Sequence, residues 1–160
     1  MGQIVLCSHE TEQQDRGGAM DTTLAGIRAM VVDDDPSVLS LMVRLLRHWG
    51  FDSVKEAPDG RSALRKAMEI APEIVFMDVE MPELNGYEAS LLLKERFPGV
   101  TIILVTGVPD GRLARKALEQ GVVKAVLPKP FTFDQLKMLV DEFLKERRGV
   151  AKERGAGAVA

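Results

Sequence analysis

The sequence predicts an α/β fold in which five parallel strands alternate with five helices. From Ile27 onward, a short apolar strand followed by a helix recurs at intervals of roughly 22–27 residues, the rhythm of strand–helix–strand units in a parallel sheet. Such units connect through right-handed crossovers, which cover both faces of the sheet with helices. We therefore expect a three-layer α/β/α domain whose reactive crevice lies at the carboxyl ends of the strands.

Short runs of residues with β propensity, bounded by turn residues, predict the five strands. They lie near residues 27–32, 53–57, 74–77, 101–105 and 125–127. The third is the clearest, because Ile74-Val75-Phe76-Met77 is apolar at every position and the chain then breaks at Pro82 and Asn85-Gly86. This strand is predicted to be buried.

Apolar residues at helical spacing predict the intervening helices. The first begins at Asp35-Pro36, since Asp is a favoured N-cap and Pro suits the first helical position, and it ends at Gly50. The last opens with Thr132 and Gln135 in a capping-box pattern. The five helices are predicted near residues 36–49, 61–70, 87–97, 112–119 and from 132 onward. The fourth is short and weakly apolar, so we expect it to be the least firmly packed.

The composition fits one globular domain and excludes several classes of protein. The chain has 160 residues and is 46% apolar, enough for a proper core. Its net charge of -3 and the lack of a basic stripe predict no direct nucleic-acid binding. A single cysteine, Cys7, excludes an intramolecular disulfide and fits a reducing compartment. No segment approaches a membrane span, so we expect no membrane contact and place the protein in the cytoplasm.

The two ends of the chain lack a sustained hydrophobic period. Residues 1–25 are polar after the first few positions, and residues 149–160 are rich in Gly and Ala. We therefore expect two flexible tails around a domain that spans residues 26–148. Met20 is a second candidate for the start of the chain.

Acidic residues follow two of the predicted strands at their carboxyl ends. Asp78 comes directly after the third strand, and Asp33, Asp34 and Asp35 follow the first. If the two strands are parallel neighbours, their acidic ends open on the same edge of the sheet. We assign Asp35 to capping the first helix, which leaves Asp33 and Asp34 for chemistry.

Three carboxylates within a few Å repel one another unless a cation lies between them. Oxygen ligands of this kind suit a hard ion such as Mg²⁺, or Mn²⁺ in its place. The sequence therefore predicts a metal pocket formed by Asp33, Asp34 and Asp78, with one carboxylate exposed to react.

Two further side chains fall at the same edge of the predicted sheet. Thr106 ends the fourth strand, and Lys129 follows the fifth. A hydroxyl can donate to an incoming anion, and an ammonium can pair with the acceptor carboxylate or with phosphate oxygens. Thr106 as an ordinary strand residue and Lys129 as a surface lysine in a turn are the alternatives. Together with the acids, the two residues predict a phosphoryl-accepting site.

These motifs resemble those of the receiver domains of two-component response regulators. The resemblance extends over about residues 27–148 and is carried by Val-Val-Asp-Asp, Met-Asp-x-x-Met-Pro-x-x-x-Gly, Val-Thr-Gly and Pro-Lys-Pro-Phe, in that order. It implies a flavodoxin-like sheet with strand order 2-1-3-4-5. It also implies a stand-alone, chemotaxis-type receiver that acts as a phosphorylation-dependent switch and not as an enzyme, apart from its own phosphotransfer and autodephosphorylation.

The resemblance also assigns roles to individual residues. Asp78 would accept a phosphoryl group from a phosphohistidine on a sensor histidine kinase or a histidine phosphotransfer protein. Asp33, Asp34, Asp78 and the backbone carbonyl of Glu80 would hold Mg²⁺. Thr106 and Lys129 would bind the phosphoryl oxygens, and the peptide bond between Lys129 and Pro130 would be cis.

One position departs from the pattern of this family. Its members often carry Tyr or Phe three residues before the lysine as a switch side chain, and this chain has Val126 there. The usual aromatic signalling step is therefore not expected. Output is predicted to use the face formed by the fourth helix, fifth strand and fifth helix, through a downstream target protein or a phosphorylation-dependent homodimer.

A different class of protein also fits part of the sequence. Asp33-x-Asp35 after an apolar strand is typical of haloacid-dehalogenase-type phosphatases, in which Asp33 would be the nucleophile and Asp35 the acid/base. Ser37 stands where that motif prefers Thr or Val, and the motif around Asp78 would be left unexplained.

Overall fold

The computed structural model describes residues 4–6 and 24–156. From residue 28 onward, strands and helices alternate along the chain as the sequence predicts. The elements are β1 (Val5–Leu6), β2 (Arg28–Val32), α1 (Pro36–Trp49), β3 (Ser53–Ala57), α2 (Gly60–Ile70), β4 (Ile74–Met77), α3 (Gly86–Arg96), β5 (Thr101–Thr106), α4 (Arg112–Glu119), β6 (Ala125–Pro128) and α5 (Phe133–Ala156).

The strands form one sheet in the order β1-β6-β5-β4-β2-β3. The five strands from β2 to β6 are parallel. Numbered among themselves, they have the order 2-1-3-4-5, which confirms the predicted topology. The central strand β4 is buried at all of its positions, because both faces of the sheet are covered.

The two faces of the sheet bury separate apolar clusters. One cluster joins the sheet to α1 and α5 and includes Phe76 and Leu46. The other joins it to α2, α3 and α4 and includes Met77 and Leu93. This three-layer packing holds the carboxyl ends of the strands in fixed positions, and the polar residues that follow them share one edge.

At the amino-terminal end, the structure differs from the predicted flexible tail. Val5 and Leu6 form a short strand that pairs antiparallel with β6, opposite Val126 and Ala125. The strand occupies the edge of β6, whose backbone groups would otherwise be unpaired on that side. The other residues of the predicted tail up to 23 lie outside the described residues.

At the other end, α5 continues to Ala156, whereas the sequence predicted a flexible tail from residue 149. Glycine lowers helix propensity but does not stop a helix as proline does. The guanidinium of Arg147 in α5 lies 2.7 Å from a carboxylate oxygen of Glu73, the residue before β4. Gly149 and Gly155 both lie within the helix. Residues 157–160 lie outside the described residues.

In the described part of the chain, no helix is long and apolar enough to cross a membrane.

Candidate functional site

The carboxyl ends of β2 and β4 bring three acids together. Val32 pairs with Met77 at the end of the two neighbouring strands, so the residues that follow them emerge side by side. Asp33, Asp34 and Asp78 each offer a carboxylate oxygen, and these oxygens lie within 4.8 Å of one another. Asp33 and Asp78 are buried, whereas Asp34 is exposed. The group is thus open to solvent on one side only.

Lys129 supplies the positive charge that faces these acids. Its Nζ atom lies 2.6 Å from Oδ2 of Asp33 and 3.5 Å from Oδ1 of Asp78. Burial by itself lowers the pKa of Lys129, but its hydrogen bond with Asp33 and the charge of Asp78 outweigh that effect and raise it. The lysine is therefore held in its charged form, with Asp33 as its nearer partner.

Burial raises the pKa of Asp78 to about 6. The charge of Lys129 acts in the opposite direction, and the charge of Asp33 raises the pKa further. A carboxylate that is ionised at neutral pH but poorly solvated is a reactive oxygen nucleophile. It also gains more than an exposed carboxylate from a nearby cation.

Asp35 has the capping role that the sequence predicts for it. Its Oδ1 accepts a hydrogen bond of 2.8 Å from the backbone N–H of Ser37 at the start of α1. The backbone N–H of Asp35 in turn donates to Oδ1 of Asp33 at 2.9 Å. Asp33 is thus held on both sides, by the helix start and by Lys129, which fixes the orientation of its carboxylate.

Thr106 reaches the same edge of the sheet from β5. It is fully buried, it pairs with Pro128 of β6, and its Oγ1 accepts a hydrogen bond of 3.1 Å from the backbone N–H of Val108. Its backbone carbonyl accepts from the N–H of Lys129 at 2.8 Å. The hydroxyl therefore orients the loop after β5, and its hydrogen remains a donor for a group at the strand ends.

The loop after Asp78 is closed tightly by Gly86. The backbone N–H of Gly86 donates to the carbonyl of Val79 at 2.9 Å. A Cβ atom added to Gly86 would lie 1.9 Å from the carbonyl oxygen of Asp78. Only glycine fits this close approach, which explains its place in the sequence motif.

One further prediction about this edge of the sheet is confirmed. The peptide bond between Lys129 and Pro130 is cis. Val126 is fully buried within the cluster beneath α4, and as a β-branched residue it is restricted at χ1. It lies in β6 as a core residue and has no aromatic ring to exchange between buried and exposed positions.

Sequence reasoning missed two features that lie next to the site. Asn85 and Glu88 form a reciprocal capping box at the start of α3, which the Asn-x-x-Glu spacing could have predicted. Tyr87 donates a hydrogen bond of 2.7 Å to Oε1 of Gln120 at the end of α4. No local pattern predicts that contact, because it depends on how two helices pack.

The family model and the relatives that this chain matches all belong to one family. The family model for the response regulator receiver domain matches residues 29–141. PrrA, a transcriptional regulatory protein of Mycobacterium tuberculosis, is 36% identical over 134 residues, which is 82% of this chain and 56% of PrrA. DctR, a probable C4-dicarboxylate response regulator of Halalkalibacterium halodurans, is 30% identical over 128 residues, 79% of this chain and 55% of DctR. The chain thus spans little more than half the length of these two relatives.

Solved structures of receiver proteins superpose on the same region. The BeF3-activated DrrB receiver domain is 32% identical, with a TM-score of 0.66, and the match covers 74% of this chain and 97% of that one. The response regulator TrrA of Thermotoga maritima, solved in complex with Mg²⁺ and BeF, is 29% identical, with a TM-score of 0.64 and coverage of 73% and 98%.

Proposed function

Since this chain belongs to the response regulator receiver domains, regulatory domains of two-component signalling, we propose that Asp78 is the residue that accepts the phosphoryl group. One observation carries the proposal: Asp78 is a buried carboxylate within 4.8 Å of two other carboxylates and 3.5 Å from a lysine ammonium. In the reaction, an oxygen of Asp78 bonds to the phosphorus of a phosphohistidine. The phosphorus–nitrogen bond breaks, and the imidazole nitrogen keeps the electron pair.

The donor set fits a divalent cation of the hard, oxygen-binding class. Asp33, Asp34 and Asp78 supply carboxylate oxygens at mutual distances that one ion can bridge, and the backbone carbonyl of Glu80 is the fourth protein ligand in our proposal. When bound, Mg²⁺ would neutralise part of the charge on the carboxylates and on the phosphoryl group. Mn²⁺ would bind the same oxygens.

Thr106 and Lys129 are proposed to bind the phosphoryl oxygens. Lys129 already spans Asp33 and Asp78, so a phosphoryl group on Asp78 would offer its ammonium a further anionic partner. Thr106 is buried and tied to the loop after β5 through Val108. A hydrogen bond from its hydroxyl to the phosphoryl group would therefore pull on that loop.

A labelling experiment tests the metal-dependent reaction. We expect intact-mass analysis of the protein treated with acetyl phosphate and Mg²⁺ to show one added phosphate, and EDTA to abolish it. Asp34→Asn removes an exposed ligand without disturbing the core. It should need at least about tenfold more Mg²⁺ for half-maximal labelling, since loss of a residue that only supports a metal ligand already weakens binding by about 10–100-fold. Equal labelling of the wild type with Mg²⁺ and with EDTA would contradict the proposal.

The histidine kinases that phosphorylate response regulators are the partner class for this site. We propose a sensor histidine kinase or a histidine phosphotransfer protein as the donor, and a downstream target protein as the receiver of the signal. The chain would turn over no substrate other than its own phosphoryl group, and it would act in the cytoplasm.

The output face in our proposal consists of α4, β6 and α5. It carries Arg112, Arg115 and Lys116 on one helix, with Asp134, Asp141 and Glu142 on the other. Asp141 pairs with Lys137 on its own helix at 2.5 Å, and β1 lies along the edge of β6. Exposed charges of this kind select the geometry of an assembly more than they add affinity.

We expect beryllofluoride, a mimic of the phosphoryl group, to convert the protein to a dimer that static light scattering detects. Arg112→Glu should weaken this dimer by placing like charges at the interface. Arg44→Glu, at an exposed position on α1 outside the face, serves as the control and should dimerise as the wild type does. A monomer with and without the mimic would exclude the dimer and leave partner binding as the output.

A further inference from the structure

Tyr87 connects α3 to α4 through two separate contacts. Its hydroxyl donates to Oε1 of Gln120 at 2.7 Å, and the Nζ atom of Lys116 lies 5.0 Å from the centre of its ring. The ring itself is buried, with 8% of the residue exposed. Both partners lie in the second half of α4 or at its end, so the tyrosine fixes the carboxyl-terminal end of that helix.

Tyr87 is also attached closely to Asp78 along the backbone. Gly86, the preceding residue, lies so close to the carbonyl of Asp78 that no Cβ fits between them. The carbonyl of Gly86 accepts a hydrogen bond of 2.6 Å from the hydroxyl of the buried Ser90, which holds it to the first turn of α3. We therefore expect a displacement of the backbone at Asp78 to displace Tyr87 as well.

The amino-terminal end of α4 is held far less firmly. Gly111, at its N-cap, makes no side-chain capping hydrogen bond. In the first half of α4 the buried residue is Ala114, which offers little surface for packing, and Leu113 beside it is only partly buried against the core. The preceding loop is tied to Thr106 through the backbone N–H of Val108. A displacement of Thr106 is thus transmitted to the amino-terminal end of α4, which is the less firmly packed end.

We propose that Tyr87 is a positioning residue that anchors the carboxyl-terminal end of α4 to the acceptor loop, so that phosphorylation moves the amino-terminal end of α4 about this anchor. The inference rests on the proposed function of Asp78. It adds that Tyr87, by fixing one end of α4, determines which end of the helix moves. Val126 lies at the position where members of this family often carry a switch ring, and in this chain the ring that contacts α4 comes from α3 instead.

Tyr87→Phe tests the anchor, because it removes the hydroxyl and keeps the ring. Without the phosphate mimic, amide hydrogen exchange in residues 116–122 should become faster by about fivefold, which corresponds to about 1 kcal/mol, the net contribution of one hydrogen bond. Within residues 107–122, beryllofluoride should change exchange in the wild type only at residues 107–115, whereas in the variant it should change exchange throughout that segment. Identical exchange of the two proteins in both states would overturn the proposal.

A matched pair of substitutions separates the anchor from a general loosening of α4. Lys116→Met and Arg115→Met each remove one positive charge from exposed positions of this helix, and Lys116 is the one that lies over the ring of Tyr87. We expect Lys116→Met to spread the beryllofluoride response as Tyr87→Phe does, and Arg115→Met to leave it as in the wild type. If Lys116→Met and Arg115→Met show the same exchange response to beryllofluoride, the contact between Lys116 and the ring of Tyr87 does not anchor α4.

The same data distinguish failure of the anchor from failure of the proposed phosphorylation site. If beryllofluoride leaves exchange in residues 78–86 unchanged in the wild type, then Asp78 is not the acceptor, and the movement about Tyr87 is overturned with it. The comparison without the mimic still decides whether Tyr87 fixes the end of α4.

Discussion

Gly86→Ala is expected to lower the free energy of unfolding by about 3 kcal/mol or more, at or beyond the upper end of the cost of overpacking a core. The added methyl group would lie 1.9 Å from the carbonyl oxygen of Asp78, and 2.8 Å from its carbonyl carbon. Both are backbone atoms, so no side-chain rotation can relieve the overlap. The loop that carries Asp78 must shift, and denaturant unfolding would measure the cost.

Gly149→Ala is the matched control for that substitution. Gly149 lies in α5, and a Cβ atom there would meet no heavy atom within 4 Å. Alanine has a helix propensity better than that of glycine by about 0.8–1 kcal/mol, so this variant should be slightly more stable than the wild type. If the two variants change stability by the same amount, Gly86 is not required for the close approach that we describe.

The second large effect concerns Asp78→Asn in the absence of divalent cations. An aspartate in an unfolded chain titrates near a pKa of about 3.9, and burial raises the pKa of Asp78 in the folded protein to about 6. Between these values the folded state binds more protons than the unfolded state, so stability falls as the pH rises from about 4 to about 6. Above that range, the ionised Asp78 destabilises the protein.

Asparagine has nearly the same shape as aspartate and carries no charge. We therefore expect Asp78→Asn with EDTA at pH 7 to be more stable than the wild type by about 1–3 kcal/mol, a gain that disappears near pH 4. Asp141→Asn, which removes a partly exposed carboxylate that pairs with Lys137 on α5, should show no comparable gain. Added Mg²⁺ should stabilise the wild type more than the Asn variant, because in our proposal it binds the folded state through that carboxylate. A variant that is less stable than the wild type at pH 7 would contradict this account.

The main site could be predicted from the sequence because its residues share a simple positional rule. Asp33, Asp78, Thr106 and Lys129 each follow or end an apolar strand, and parallel strands present their carboxyl ends at one edge. The rule does not predict which groups contact which. The closer approach of Lys129 to Asp33 than to Asp78 depends on side-chain packing that no spacing encodes.

Other features could not be predicted, because they depend on contacts between distant segments. Tyr87 and Gln120 are separated by 33 positions, and their contact follows from the packing of α3 against α4. Val5 and Leu6 lie in a short apolar run that precedes a polar segment, and the edge of β6 gives them a partner. The sequence predicts a tail where α5 continues, because a Gly- and Ala-rich composition is typical of a tail although neither residue terminates a helix by itself.

The structure and the family match also weigh against a phosphatase that uses Asp33 as its nucleophile. Asp35, the acid/base in that interpretation, caps α1, and Asp33 is paired with Lys129. The family model covers the motif around Asp78, and the phosphatase interpretation assigns no role to that motif. The two interpretations differ in the residue that becomes phosphorylated.

Identifying that residue is the most direct measurement. The wild-type protein would be treated with acetyl phosphate and Mg²⁺, the acyl phosphate trapped by borohydride reduction, and the modified aspartate located by peptide mass spectrometry. The account predicts modification at Asp78, and none at any position in Asp78→Asn. Modification at Asp33, or unchanged labelling of the Asn variant, would contradict it.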